Sequence, residues 1–249
     1  MHHTLDIQDL HFSYPDGRVA LKGVTLFINP GEKTALVGPN GSGKSTLLLH
    51  LNGILRGDGE ILVCGTKLTD ESLRQIRALV GLVFQDPDDQ LFSQSVYEDV
   101  AFGPLYMDFP QEQVAQMVKQ ALEAVGMPGS EARVPHHLSE GEKKRVAIAT
   151  VLSMNPEVLV LDEPTAGLDP RGRRELIQLL TGLPQTMLVA THDMRMVAEL
   201  FDRTVIIDEG KVVADGPTAR ILSEPTLLEA HGLEAPVRHV YEESKVRIS

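Results

Sequence analysis

The feature that most constrains this chain is an octapeptide at positions 38–45, which reads Gly-Pro-Asn-Gly-Ser-Gly-Lys-Ser. It matches the pattern G-x-x-x-x-G-K-[ST], whose glycines let successive backbone N–H groups point at a phosphate. An apolar run, residues 34–37, precedes it and a helix-like run, residues 45–51, follows it, which is the context that the pattern needs. A glycine-rich turn that binds nothing would leave this combination unexplained. We therefore predict a nucleoside triphosphate site in which Lys44 reaches the β- and γ-phosphates and Ser45 binds Mg²⁺.

Short apolar runs elsewhere in the chain are typical of buried parallel strands. The runs are 34–37, 80–84, 158–161, 187–190 and 205–207. Polar residues follow the second, third and fourth of them, namely Gln85, Asp162 with Glu163, and Thr191-His192-Asp193. Because ligands of open α/β sheets bind beyond the carboxyl ends of the strands, we expect these side chains at the edge that holds the phosphate loop.

The residue types at these strand ends suit phosphoryl transfer to water. An acidic residue such as Asp162 can hold Mg²⁺ through water, and Glu163 is placed to accept a proton from the attacking water. His192 can position the γ-phosphate, and Gln85 can contact Mg²⁺ and the same water. Each of them alone has a plainer interpretation as a loop or structural residue, but that interpretation does not explain the set.

The patterns along the whole chain predict one α/β domain, residues 1–249. It comprises a parallel core, an antiparallel β subdomain, a helical subdomain and a tail. Short or alternating runs between Leu5 and Leu68, separated by turn residues, indicate an antiparallel sheet beside the parallel core. Residues 86–152 show helical periodicity and no clear strand, which predicts a helical subdomain. The core with its β subdomain then comprises 1–85 and 153–232, and 233–249 form a weakly patterned tail.

Charge and composition exclude some classes of function. The net charge of −12 argues against a nucleic-acid partner, because a phosphate backbone needs clustered Lys and Arg. The one cysteine, Cys64, excludes an internal disulfide, and its apolar neighbours predict a small buried side chain. No apolar run approaches the ~20 residues of a membrane span. We expect any work at a membrane to go through partner proteins.

A segment further along the chain carries a specific resemblance. Residues 138–142 read Leu-Ser-Glu-Gly-Glu and run into a basic, helix-like stretch. Here the chain resembles the ATP-binding-cassette (ABC) ATPases, whose signature is close to Leu-Ser-Gly-Gly-Gln. The other landmarks of that family occur in the family's order: Tyr14 for the aromatic that stacks on adenine, residues 38–45 for Walker A, Gln85 for the Q-loop, Asp162-Glu163 for Walker B, residues 166–169 for the D-loop and His192 for the switch histidine.

This resemblance implies a P-loop NTPase (RecA-like) parallel-sheet core with an N-terminal antiparallel β subdomain and a helical subdomain. It implies ATP and Mg²⁺ as cofactors. Catalytic residues would be Glu163, His192 and Gln85, and the Mg²⁺ ligands Ser45, Gln85 and Asp162. The ATP-binding residues would be Tyr14, Gly38, Pro39, Asn40, Gly41, Ser42, Gly43, Lys44, Ser45 and Thr46. Two cassettes would pair head to tail, so that Ser139, Gly141 and Glu142 act on the partner's ATP and Asp169 carries signals across the interface.

The signature departs from the family's pattern at two positions. Glu140 stands in place of the first glycine and Glu142 in place of the glutamine, whereas Ser139 and Gly141 are kept. Ser139-x-x-Glu142 matches a capping box, which gives Glu142 a purely structural role at the start of a helix. We therefore do not expect Glu142 to contact ATP as a glutamine would.

A second stretch points to a group within the family. Residues 83–92 and 97–104 look like the energy-coupling-factor (ECF) group, most of all its cobalt- and nickel-type ATPases called CbiO. That resemblance implies a groove for a transmembrane T-component, for which Asp88, Asp89 and Gln90 are our candidates, and a substrate-capture S-component beyond it. The plain alternative is a turn followed by a helix start.

The function that follows is the ATP-hydrolysing motor of an ECF-type importer for cobalt or nickel ions. It would work as a dimer, most simply of two identical chains, on the cytoplasmic face of a bacterial or archaeal membrane. ECF-driven vitamin uptake stays open as an alternative, as does a soluble ABC ATPase without a transport role. A small-molecule kinase with the same phosphate loop would not carry the signature or His192.

Overall fold

A six-stranded sheet carries the phosphate loop in the computed structural model, which describes residues 3–234. The order across the sheet is β10-β9-β3-β8-β7-β6, and all neighbours are parallel except β9 and β10. The strands are β3 (Lys33–Val37), β6 (Val80–Val83), β7 (Val158–Asp162), β8 (Thr186–Ala190), β9 (Arg203–Asp208) and β10 (Lys211–Pro217). The five predicted parallel strands are confirmed. Strand β10 escaped prediction because it is a half-exposed edge strand that ends in Asp-Gly-Pro.

A four-stranded antiparallel sheet lies beside it, as predicted. Its order is β2-β1-β4-β5, and its strands are β1 (Leu5–Ser13), β2 (Val19–Ile28), β4 (Asp58–Val63) and β5 (Thr66–Lys67). Strand β1 contains a bulge at Asp9 (φ 48°), which shifts its register against both neighbours.

The expectation of a buried Cys64 is wrong. Cys64 occupies the turn between β4 and β5 with φ 49° and is exposed. The apolar run ends at the buried Val63, and Cys64 with Gly65 makes the reversal into β5. An apolar neighbourhood along the chain therefore did not translate into burial at a two-residue turn.

Helices surround the parallel sheet and fill the stretch between β6 and β7. They are α1 (Lys44–Leu51), α2 (Leu73–Leu79), α3 (Val96–Tyr106), α4 (Gln111–Ala124), α5 (Glu140–Leu152), α6 (Pro170–Gly182), α7 (Met194–Leu200), α8 (Thr218–Ile221) and α9 (Pro225–Ala230). Residues 86–152, all of them described, contain α3, α4, α5 and two short 3-10 turns but no strand. The apolar face predicted for α4 is buried, with Val114 and Val118 in contact with the core.

Both faces of the parallel sheet are covered, which explains why its strands are apolar at nearly every position. In β3, Ala35 and Val37 face the helices α3 to α7, whereas Leu36 faces α1 and the antiparallel sheet. The carboxyl ends of the strands form an edge where polar side chains gather. Among residues 3–234, no helix combines the length and apolar character that crossing a bilayer requires.

Candidate functional site

The phosphate loop joins the end of β3 to the start of α1 and is packed tightly from behind. A Cβ added to Gly38 would lie 2.0 Å from the carbonyl oxygen of Ile207, and one added to Gly43 (φ 109°) would lie 2.7 Å from that of Ala20. Only glycine fits these two close approaches. The loop backbone is therefore held in shape by its neighbours on β9 and β2.

Lys44 is folded back onto the loop. Its Nζ donates to the carbonyl oxygens of Gly38 (2.8 Å) and Pro39 (3.0 Å), and the side chain is buried. Burial lowers the pKa of Lys44, and the carboxylates of Glu163 and Asp162 offset part of that shift. Its ammonium group is thus close to the acidic pair Asp162-Glu163 at the end of β7 as well as to the loop.

A cleft of about 400 Å³ opens over the loop at the carboxyl edge of the sheet. The structure brings the strand-end residues together there, as their positions after β3, β6, β7 and β8 predicted. The lining residues are Tyr14, Arg18, Val19, Ala20, Asn40, Gly41, Gly43, Lys44, Ser45, Thr46, Gln85, Asp162, Glu163 and His192. Of the other predicted loop residues, Gly38, Pro39 and Ser42 shape the loop without lining the cleft.

Asp162 carries the clearest sign of a cation site. Burial raises the pKa of Asp162, and so does the nearby Glu163, whereas a hydrogen bond from Ser45 and the charge of Lys44 lower it. Its Oδ1 is buried and has no hydrogen-bond partner. A buried carboxylate oxygen without a partner, next to a serine hydroxyl, fits the hard oxygen ligands that Mg²⁺ prefers.

Glu163 is held by contacts of both its backbone and its side chain. Its backbone has φ 44°, a strained value for a residue with a side chain, and its N–H donates to the carbonyl oxygen of Ala190 at 2.8 Å. Its Oε2 accepts hydrogen bonds from Thr191 Oγ1 and from the backbone N–H of His192, both at 3.2 Å. His192 Nδ1 lies 2.8 Å from Oε1. Glu163 and His192, which the sequence predicted as catalytic residues in separate segments, are therefore in contact.

Sequence reasoning placed Asp193 after the fourth apolar run but missed its two partners, Arg173 and Thr165. The guanidinium of Arg173, on α6, contacts Asp193 through Nε at 2.6 Å and Nη2 at 3.2 Å. Asp193 also caps α7 and accepts a hydrogen bond from Thr165 Oγ1 at 3.2 Å. The position of Asp193 before a helix is a recognisable N-cap signal, but nothing in the sequence couples it to an arginine 20 positions earlier.

The aromatic predicted to stack on adenine lies just past the end of β1. Tyr14 Oη is 2.9 Å from Thr46 Oγ1, which ties the ring to α1. The guanidinium of Arg18 lies 4.6 Å from the centre of the Tyr14 ring. Arg18 also lines the cleft, and no motif had marked it.

The signature residues do not reach this cleft. Ser139 caps α5, and Glu142 completes the predicted capping box by accepting from the backbone N–H of Ser139 at 2.9 Å. Neither of them, nor Gly141, lines the cleft around the phosphate loop. Asp169 is likewise exposed and caps α6, where it accepts from the N–H of Gly172 at 2.6 Å. These residues form a separate, outward-facing group.

The candidates for a membrane-partner groove divide into two kinds. Asp88 and Asp89 are exposed, and Asp88 pairs with Lys143 at 2.6 Å. Gln90 corrects the prediction, because its side chain turns inward: Oε1 accepts from the N–H of Phe84, and Nε2 donates to Ala147 O at 2.9 Å. Gln90 therefore braces the strand end against α5 and does not present its side chain to a partner.

The basic residues at the start of α5 also form hydrogen bonds and ion pairs within the chain. Besides the pair of Lys143 with Asp88, Lys144 Nζ donates to the carbonyl oxygen of Gln85 at 2.8 Å and Arg145 pairs with Glu175 at 3.2 Å. These contacts tie the helix to the Q-loop position and to α6.

The sequence and the fold both resemble those of known proteins. Residues 21–166 match the family model described as "ABC transporter". The energy-coupling factor transporter ATP-binding protein EcfA of Methanocaldococcus jannaschii is 48% identical over 96% of this chain and 88% of its own. The structure of cbiO1 from Clostridium perfringens, part of the ABC transporter complex cbiONQ, aligns with TM-score 0.81 at 41% identity over 92% of this chain and 94% of its own. The dimeric cassette MJ0796 bound to ADP and Pi aligns with TM-score 0.76 at 29% identity over 86% and 98%.

Proposed function

The chain belongs to the ABC transporter family, as an ATP-binding subunit of the ECF group, and from that premise we propose that two copies pair head to tail to drive a membrane transporter of cobalt or nickel ions. It is an ABC ATPase.

One observation carries the pairing. The cleft contains the phosphate loop and the strand-end residues Gln85, Asp162, Glu163 and His192, but none of the signature residues. The signature begins α5, where a helix N-terminus offers backbone N–H groups and positive dipole to an anion. The γ-phosphate of ATP in one chain would therefore meet the N-terminus of α5 if a second chain supplied it. Dimeric cassette structures of the relative MJ0796 support this arrangement.

Within the cleft, each residue would have a separate role in hydrolysis. Lys44 would leave the carbonyl oxygens of the loop for the β- and γ-phosphates, which offer it full negative charge. Glu163, fixed by Thr191 and His192, would accept the proton of the attacking water. His192 would hold that water and the γ-phosphate in line. Most of the catalysis is therefore positioning and charge stabilisation.

We assign the Mg²⁺ site to Ser45, Asp162 and Gln85. When bound, the ion neutralises charge on the β- and γ-phosphates. Among residues 3–234 no group of three or more His, Cys, Asp and Glu side chains is arranged to hold a metal. A single carboxylate with a hydroxyl suits an ion that keeps several waters and binds phosphate oxygens as well.

An exposed apolar surface on the helical part supports a membrane partner. Phe92, Phe102, Leu105 and Tyr106 are each about half exposed or more, and the rings of Phe92 and Phe102 pack edge to face at 5.6 Å. We call these four residues the α3 patch. Apolar side chains gathered in this way mark protein contact surfaces. The α3 patch, with Asp88 and Asp89 near the preceding turn, is our proposed contact for the T-component, through which an S-component would be reached.

The α3 patch favours a transporter over a soluble ABC ATPase. Metal ions rather than vitamins as cargo are supported by the likeness to cbiO1 of the cbiONQ complex. The ATPase itself does not touch the cargo in this proposal.

The experiment is purification of the tagged chain from its native membranes in mild detergent, followed by mass spectrometry of the proteins that accompany it. We expect a T-component with a single metal-type capture subunit. Phe102→Asp should lose these partners, whereas Val213→Asp, which changes an exposed apolar residue on β10, should keep them. A T-component with several different capture proteins would favour vitamins, and the absence of any membrane protein would contradict the transporter proposal.

A further inference from the structure

The signature of this chain carries a charge conflict. Two carboxylates, Glu140 and Glu142, lie in the first turn of α5. Acidic residues stabilise a helix at that end, but they also repel an anion that approaches the same N–H groups. If the signature receives a γ-phosphate, as the proposed function requires, this negative charge has to be compensated. The structure shows where the compensation for Glu142 comes from.

Arg133 holds Glu142 with both arms of its guanidinium group. Nη1 donates to Oε1 at 2.7 Å and Nη2 to Oε2 at 3.3 Å, and Oε2 also accepts from the backbone N–H and the hydroxyl of Ser139, each at 2.9 Å. These contacts, with that of Arg133 the strongest, lower the pKa of Glu142 to about 2. Glu142 is therefore charged at any physiological pH, and Arg133 is the permanent charge that balances it.

The other charges around the signature are engaged elsewhere. Lys143 pairs with Asp88, and Lys144 is buried against the carbonyl oxygen of Gln85. Glu140 lies toward the D-loop, where a Cβ added to Gly167 would be 3.7 Å from its Cγ. Of the ion pairs within residues 3–234, that with Arg133 is the one that reaches Glu142.

The backbone around Arg133 is anchored to a different helix. The carbonyl oxygen of Arg133 accepts from the N–H of Val96 and that of Glu131 from the N–H of Tyr97, both at 2.9 Å. These are the first two N–H groups of α3, the helix that carries most of the α3 patch. Arg133 thus joins the start of α3, through its backbone, to the start of α5, through its side chain.

We propose that Arg133 is a positioning residue of the signature: it neutralises Glu142 and fixes it in the cap, so that Ser139 and Gly141 meet the γ-phosphate bound by the second chain. The inference rests on the head-to-tail pairing of the proposed function. The same residue gives α3 a direct route to the signature. A shift of α3 on its partner would move the backbone of Arg133 and, with it, the ion pair that keeps the signature receptive to phosphate.

The test removes the two charges in turn from a Glu163→Gln parent, which should bind ATP without hydrolysing it. Light scattering gives the ATP concentration at which half of the protein is dimeric. Arg133→Ala should raise that concentration on the order of tenfold, because Glu142 is left uncompensated. Adding Glu142→Gln should reverse the rise, since glutamine can still accept from the N–H of Ser139 but brings no charge.

Controls separate a charge effect from a folding effect. Arg133 is about 44% exposed, so its removal leaves no buried cavity. Arg74→Ala, which removes another exposed arginine from an exposed ion pair with Asp108, should not change the dimerisation midpoint. Thermal unfolding should give similar midpoints for Arg133→Ala and Arg74→Ala.

The outcomes distinguish this inference from the proposal beneath it. Equal dimerisation of the parent and Arg133→Ala overturns the role of Arg133 and leaves the pairing intact. A double variant as impaired as Arg133→Ala alone would show that Arg133 only supports the loop, which also overturns the charge role. A parent that does not dimerise with ATP at any concentration overturns the pairing, and this inference falls with it.

Discussion

The two halves of the catalytic apparatus are built in different ways. In the cleft, side chains from the ends of β7 and β8 already touch: Glu163 is buried between Thr191 and His192, and Lys44 is buried on its own loop. At the signature, Ser139 is exposed, and its contacts are those of a helix cap. The residues of the cleft are held by contacts with one another and with the loop, whereas the signature residues are held by the contacts of the α5 cap. This difference supports our proposal that the two are complementary parts supplied by different chains.

The largest effect is expected from a substitution in the cleft that leaves the signature unchanged. Glu163→Gln should lower turnover by about 10³-fold or more, because it removes the group that accepts the proton of water. ATP affinity should stay near that of the parent, and closed dimers should accumulate. Phosphate release and nucleotide binding measure the two quantities. Glu157→Gln, at the opposite end of β7, is the control; if Glu163→Gln keeps the control's turnover, Glu163 is not the base.

A smaller effect is expected from the loop itself. Lys44→Ala should weaken ATP binding about 100-fold, since a buried ammonium can no longer meet the β- and γ-phosphates. Isothermal titration with ATP checks this, with Lys119→Ala on the exposed face of α4 as the matched loss of a lysine. Equal ATP affinities of the two variants would show that Lys44 does not bind the phosphates.

The next variant tests how the cleft keeps its geometry. Arg173→Met should lower kcat about tenfold and leave KM nearly unchanged, because it frees Asp193 and therefore the position of the neighbouring His192. Arg173→Lys should recover part of kcat, but not all of it, since lysine cannot make the two-armed contact. Arg171→Met removes an exposed arginine from the same helix, and its kcat should stay at the parent value. A matching loss of kcat in Arg171→Met would mean that α6 as a whole, and not the pair, is responsible.

The smallest expected effect is a change in the pH at which the Glu142 carboxyl of the signature titrates. The pKa of Glu142 is lowered to about 2, so the stability that its contacts contribute is present above the unfolded value of about 4.5 and is lost as the pH falls toward 2. Carbon-13 NMR of the Glu142 carboxyl should show no titration between pH 6 and pH 3.5. In Arg133→Ala the titration should move up into that range. A normal glutamate titration in the unaltered protein would contradict the ion pair.

The sequence predicted elements and residue types better than it predicted contacts. Strands buried on both faces leave continuous apolar runs, so the parallel core could be found, whereas the half-exposed β10 could not. The spacing of Ser139 and Glu142 predicted the capping box because both residues belong to one helical turn.

Contacts that depend on the path of a loop were out of reach. The pairs of Arg133 with Glu142 and of Arg173 with Asp193 join separate segments, and no periodicity links their members. Gln90 was misplaced for a related reason: a polar residue after a turn is expected at the surface, but Phe84 and Ala147 offer it hydrogen bonds inside.

The most direct test of the account is complementation between two inactive chains. Lys44→Ala disables the cleft and keeps the signature, whereas Ser139→Arg keeps the cleft and blocks closure on the partner's ATP. Each alone should hydrolyse almost no ATP. An equal mixture should recover about a quarter of wild-type turnover, because about half of randomly formed dimers contain one complete site of two. A mixture no more active than its components, or a Ser139→Arg chain that is fully active by itself, would contradict the claim that each cleft is completed by the signature of another chain.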